Sequence, residues 1–138
     1  MWGSDDSHVW AVGDSGTILQ WDGSSWGTQT SGTIEYLTSV WGSDATHLWA
    51  VSTNGTILKG NGSSWSAAAR PSLSGNGTWI GDGSHIWLAG GRSGLAMWNG
   101  TDWKPSTSRL DVPLYAVWAS QDRVVAVGAD QSILEFRR

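Results

Sequence analysis

The chain has 138 residues, enough for one domain or part of a larger one, with 19 glycines, 12 tryptophans, no cysteine, 14% charged residues and a net charge of −4. Without cysteine there are no disulfides, thiolate metal sites or thiol nucleophiles. The scattered Lys and Arg form no basic patch for a phosphate backbone, and no apolar stretch approaches the roughly 20 residues of a membrane span, so neither nucleic acid nor membrane insertion is expected.

In chain order, Met1-Trp2 enters partway through a first strand, and "WGSDDS" reads as a polar turn rather than a leader. "HVWAV" (8–12) is a second strand with apolar side chains on both alternating faces, the pattern of a strand sandwiched between neighbouring sheets. "GTILQW" is a third strand. The "DGSS" turn then opens a fourth at Trp26, facing Trp21 and Trp26 across the hairpin as an aromatic pair. After a looser segment the phrase returns. "TSVWGS" (Thr38–Ser43), "HLWAV" and "GTILKG" are strands, "STNG" carries an Asn-Gly turn signal, and "NGSS" leads into Trp65. Gly, Ser, Thr and β-branched residues interrupt every helical run.

Trp2, Trp41, Trp79 and Trp118 mark one point in four units, spaced 39, 38 and 39 residues apart. Behind them stand columns His8/His47/His85/Arg123, Trp10/Trp49/Trp87/Val125, Trp21/Gly60/Trp98/Phe136 and Trp26/Trp65/Trp103. The stretches Trp2–Trp26 and Trp41–Trp65 share 16 of 25 residues, in the strings WGSD, H, WAV, GTIL and GSSW. That degree of identity implies duplication. Four strands in about 40 residues is the period of a β-propeller blade. The expectation is therefore all-β: a β-propeller of four-stranded antiparallel blades in one repeat domain, 1–138, with units near 1–36, 37–74, 75–113 and 114–138. The last unit stops after its third strand.

"SVWGSDATHLWAVSTNGTILKGNGSSW" resembles the blade signature of BNR-like and photosystem-assembly-factor-like propellers, and of bacterial extracellular propeller repeats. The resemblance implies a propeller architecture and an extracellular or cell-surface setting, but names no activity. "DGSSW" is one residue shorter than the D-G-G-x-T-W Asp-box of sialidases, so their chemistry does not carry over. An incomplete last blade leaves a compact ring with a seam, a half-ring whose copies pair, or a fragment of a longer array. Self-association is favoured, because an exposed sheet edge invites pairing.

Among candidate sites, the three histidines sit where a first turn ends. They are expected to bond its Ser or Asp (Ser4, Asp5; Ser43, Asp44; Asp82, Ser84) rather than a metal. The acidic turns and the sequons at Asn54, Asn61, Asn76 and Asn99 read as turn chemistry. No catalytic set stands out and no cofactor is expected. The irregular residues Arg92, Lys104, Arg109, Asp111 and Tyr115 are placed in loops. The columns of Trp10 and Trp2 are expected to be core. The outer column is the ligand candidate: Trp21, Trp26, Trp65, Trp98 and Trp103 as stacking faces, with Asp22, Asn61 and Asn99 reading hydroxyls. The expected function is a non-enzymatic, multivalent binding module. Glycans are the first-choice partner, since repetition of weak sites raises avidity. A protein-interaction or assembly scaffold, or a structural segment of a larger surface protein, is the alternative.

Overall fold

The computed structural model describes residues 1–68, 78–81, 86–90, 94–99, 101–107, 112–120 and 122–137, with the side chains of 78–81, 107, 136 and 137 left aside. The expected His85 contacts (with Asp82 and Ser84), Asn76, Arg92, Arg109 and Asp111 lie outside the described residues or side chains, as do the side chains of Trp79 and Phe136. The chain divides into two compact units, Met1–Ala68 and Ala69–Arg138.

In the first unit, β1 (Trp2–Asp5), β2 (His8–Val12), β3 (Ile18–Trp21) and β4 (Trp26–Gln29) form one antiparallel sheet in sequence order. β5 (Leu37–Asp44), β6 (His47–Ser52), β7 (Ile57–Gly60) and β8 (Trp65–Ala67) form a second sheet, also in sequence order. In the second unit, β9 (Thr78–Gly81), β10 (Ile86–Gly90), β11 (Gly94–Trp98) and β12 (Trp103–Thr107) make a third sheet. β13 (Leu114–Ala119), β14 (Arg123–Gly128) and β15 (Ile133–Arg137) make a three-stranded fourth. The meander order follows from the short turns, since a connection of two to five residues can only join antiparallel neighbours.

The first two sheets stack through one apolar cluster: Trp10 and Ile18 from the first meet Leu37, Val40, Leu48, Ala50 and Leu58 from the second. Trp2 adds to this joint, its ring 6.1 Å from Trp10 and 6.1 Å from Trp41. The last two sheets repeat the scheme. Trp87, Ala89 and Leu95 of the third meet Leu114, Val117, Ala119, Val124 and Ala126 of the fourth. In both units the face carrying the second-strand tryptophan of the earlier sheet covers the opposite face of the later one. We call these the leading and trailing faces.

Two expectations about burial need correction. Trp10, Trp49 and Trp87 are buried, but Trp118 is 52% exposed, and Trp2 and Trp41 are only half-buried. Trp118 lies on the leading face of the fourth sheet, opposite Val125. Both faces of "HLWAV" are buried in β6, yet in β2 only Trp10 is, while Val9 and Ala11 stay half-buried. Strand pattern sets which side chains share a face, whereas burial needs a sheet laid over that face. Lys104 and Tyr115 also differ from expectation, for they lie on β12 and β13.

Candidate functional site

The turn after each first strand is built as the sequence suggests. His8 Nδ1 lies 2.8 Å from Asp5 Oδ1, and Ser7 donates to the same carboxylate through its N–H and hydroxyl. His47 and Asp44 repeat this at 2.9 Å, joined by the Thr46 N–H and hydroxyl. The His8 bond, followed by the Ser7 N–H, holds the Asp5 carboxyl well below the usual carboxylate range. The Thr46 hydroxyl, followed by His47, does the same for Asp44. In the fourth unit Arg123 instead pairs with Glu135 at 3.0 Å.

The outer aromatic column divides into two kinds. Trp21 and Trp26 are cross-strand partners with ring centroids 5.7 Å apart, and Trp98 and Trp103 repeat the pair at 5.6 Å. Trp21 Nε1 donates to the Asp6 carbonyl at 3.0 Å, and the two rings with Val9, Asp5 and Asp6 line an open cleft of about 340 Å³. Trp65 behaves otherwise. Its partner across the hairpin is Gly60, where an added Cβ would come within 3.0 Å of the indole, so the ring lies down on the sheet. It packs against the joint between the first two sheets and donates to Gln29 Oε1 at 2.7 Å. The ring is part of that joint rather than an open platform.

The polar partners expected beside these rings are engaged within their own turns. Asp22 Oδ1 accepts the N–H groups of Ser24 and Ser25, both at 2.8 Å. Asn61 Oδ1 accepts from Ser63 and Ser64, and Asn99 Oδ1 from Thr101 and Asp102. Each of these oxygens holds a tight turn together.

The N–H groups of Ser25 and Ser24 lower the Asp22 pKa from 3.8 to about 2. A depressed carboxylate stabilises the fold above its unfolded pKa, and that contribution is lost as pH falls through the folded one. Asp22→Asn keeps the acceptor, as Asn61 and Asn99 do naturally, but cannot titrate. Its thermal midpoint should therefore fall less steeply than the parent's between pH 3.8 and about 2 while matching it near neutrality. Melting curves across that range check this, and parallel acid limbs would refute it.

One concavity in the first unit was not anticipated. The 3-10 turn Asp14–Gly16, with residues 15–17 and 28–35, lines a groove of about 660 Å³. Its walls are tied down from several directions. The Gly16 N–H donates to the Glu35 carbonyl at 2.8 Å and the Leu37 N–H to the Gly13 carbonyl at 2.9 Å. The Thr53 N–H donates to the Tyr36 carbonyl at 3.0 Å, and the buried Ser52 hydroxyl donates to the Glu35 carboxylate. Ser15, Thr17, Thr28 and Thr30 contribute hydroxyl-bearing side chains, and Ile34 stands 89% exposed at the rim. The sequence signal was faint: residues 30–36 belong to the segment between units, where no repeat guides the eye.

Comparison with known proteins adds the fold. No family model matches the chain, and no curated protein matches it either, so the BNR-like reading gains no support. Among solved structures, the chain is similar to YCF48 bound to D1 peptide, with 19% identity and a TM-score of 0.73 over 91% of this chain and 45% of that one. YCF48 from Cyanidioschyzon merolae matches at 18% identity and a TM-score of 0.65, over 96% of this chain and 52% of that one. The computationally designed Ika4 protein matches at 13% identity and 0.75, over 95% of this chain and 85% of that one. The sheets are β-propeller blades. The chain spans about half the length of the YCF48 chains.

Proposed function

We propose that the chain is a non-enzymatic protein-interaction scaffold whose groove at residues 15–17 and 28–35 holds an extended segment of a protein partner. The observation that carries this is the groove itself. Its volume lies within the usual range for binding sites, six of its eleven lining residues are Ser or Thr, and one large apolar side chain, Ile34, stands exposed among them. Such a lining suits a peptide main chain, which needs hydrogen-bonding partners at short intervals, with Ile34 as an apolar anchor. The likeness in fold to YCF48 bound to D1 peptide supports a peptide as the ligand class. The glycan reading loses ground, because the oxygens meant to read hydroxyls are engaged in turns.

A randomised dodecapeptide library and a panel of sugars, each offered to the intact chain, separate the two. Peptides bearing an apolar side chain should be enriched. Their affinity should drop at least about tenfold in Ile34→Asp, near 1.4 kcal/mol, while Trp26→Ala leaves it unchanged. An exposed side chain is the one altered, so the melting curve should not move. No enrichment above background, or saturable sugar binding lost in Trp26→Ala, would overturn the reading.

A further inference from the structure

The joint inside each unit has a direction. Trp10, Val12 and Ile18 on the leading face of the first sheet pack on Leu48, Ala50 and Leu58 on the trailing face of the second. Trp87, Ala89 and Leu95 of the third pack on Val124, Ala126 and Leu134 of the fourth. Two of these faces have apolar side chains left open. The leading face of the fourth sheet carries Trp118, Val127 and Ile133, exposed by 52%, 41% and 71%. Val127 pairs with Ile133, and Val125 with Trp118 on one side and Glu135 on the other, so these side chains stand on one face. In register they occupy the places that Trp2, Trp10, Val12 and Ile18 hold on the first sheet, where the same face is covered.

The trailing face of the first sheet is the other. Val9 pairs with Trp21, Trp21 with Trp26 and Ala11 with Leu19. Val9, Ala11, Leu19 and Trp21 are half-buried, and Trp26 is 46% exposed. In register, Leu48, Ala50 and Leu58 of the second sheet hold the places of Val9, Ala11 and Leu19, and those three are buried in a joint. The position of Trp26 is held there by Trp65, whose indole closes on the neighbouring sheet through Gln29. Trp26 has the same residue type at the same register, with its cleft still open.

We infer that the leading face of the fourth sheet of one copy packs on the trailing face of the first sheet of a second copy, continuing the joint found within each unit. Two observations select a second copy as the occupant. The two open faces are the two halves of a joint this chain already makes twice. And since one chain spans about half of a YCF48 chain, two copies supply the length of one. A leading-to-trailing contact is heterologous, and in a closed pair each copy gives one face of either kind, so that two such joints form.

Sedimentation equilibrium of the intact chain tests this. The expected mass is twice 14.8 kDa, and a one-chain mass at every concentration up to the solubility limit overturns the inference. Val127→Asp with Ile133→Asp blocks the leading face, and Leu19→Glu with Trp26→Glu blocks the trailing face. Each variant alone should sediment as one chain, with its circular dichroism retained. Mixed in equal amounts they should form a two-chain species, because one intact face of each kind remains. A leading-face variant that still pairs with itself, or a mixture that stays single-chain, refutes the directional joint. These substitutions avoid the groove residues, so loss of pairing and loss of peptide binding are read separately.

Discussion

Trp10→Ala should cost about 3–5 kcal/mol of unfolding free energy, the range for deleting a fully buried large aromatic side chain. Trp10 has no exposed surface and lies in the joint with Ile18, Leu37, Val40 and Leu48. Its ring is also 6.1 Å from Trp2 and 6.4 Å from His8, so alanine removes contacts within its own sheet as well as across the joint. Collapse into the gap is limited, because the neighbours are held by two hydrogen-bonded sheets. Trp10→Phe is the informative companion. The Trp10 Nε1–H is buried without a hydrogen-bond partner, a burden of about 1–3 kcal/mol. Phenylalanine removes that burden as well as part of the ring, so it should cost far less than alanine. Urea titration followed by far-ultraviolet circular dichroism measures both. A loss below about 1 kcal/mol for the alanine variant would contradict the cluster as the principal joint of the first unit.

The second large effect is at the hairpin turns, where substitutions at one register should act in opposite directions. Gly16 is buried with φ of 69°, and an added Cβ would lie 2.0 Å from the Thr33 carbonyl oxygen. Gly16→Val therefore combines the left-handed penalty of about 1–2 kcal/mol with displacement of the segment that walls the groove. The loss should reach roughly 3 kcal/mol, and peptide binding should fall with it. Gln131 occupies the same register in the fourth unit with φ of 58°, next to Asp130 at 54°. No glycine relieves that turn. Gln131→Gly should raise stability by about 0.5–1 kcal/mol, the relief of strain less the extra entropy of glycine in the unfolded chain. A rise in thermal midpoint for Gln131→Gly beside a fall for Gly16→Val is the expected pair of results. Equal losses would mean that the fourth-unit turn is not strained.

The elements that were legible beforehand share a property: their partners lie within some twenty residues. The Trp21–Trp26 pair, the His8–Asp5 and His47–Asp44 contacts, and the Asn61 and Asn99 turns each close inside one hairpin. Turn chemistry and period-two alternation encode such contacts directly. The groove was illegible because it joins a hairpin turn to a non-repeating connection, and its shape depends on where Glu35 and Leu37 are bonded.

What the sequence determined by itself was the strand order, the hairpin registers, the blade period and the side chains that share each face, since all of these follow from local turns and alternation. Only the tertiary structure decided which faces are covered. Trp10 and Trp118 stand on equivalent leading faces, yet one is wholly buried and the other half exposed; Trp26 and Trp65 share a register, yet one lines a cleft and the other closes a joint. The difference is physical. Burial depends on the sheet that lies opposite, and no strand carries that information in its own residues.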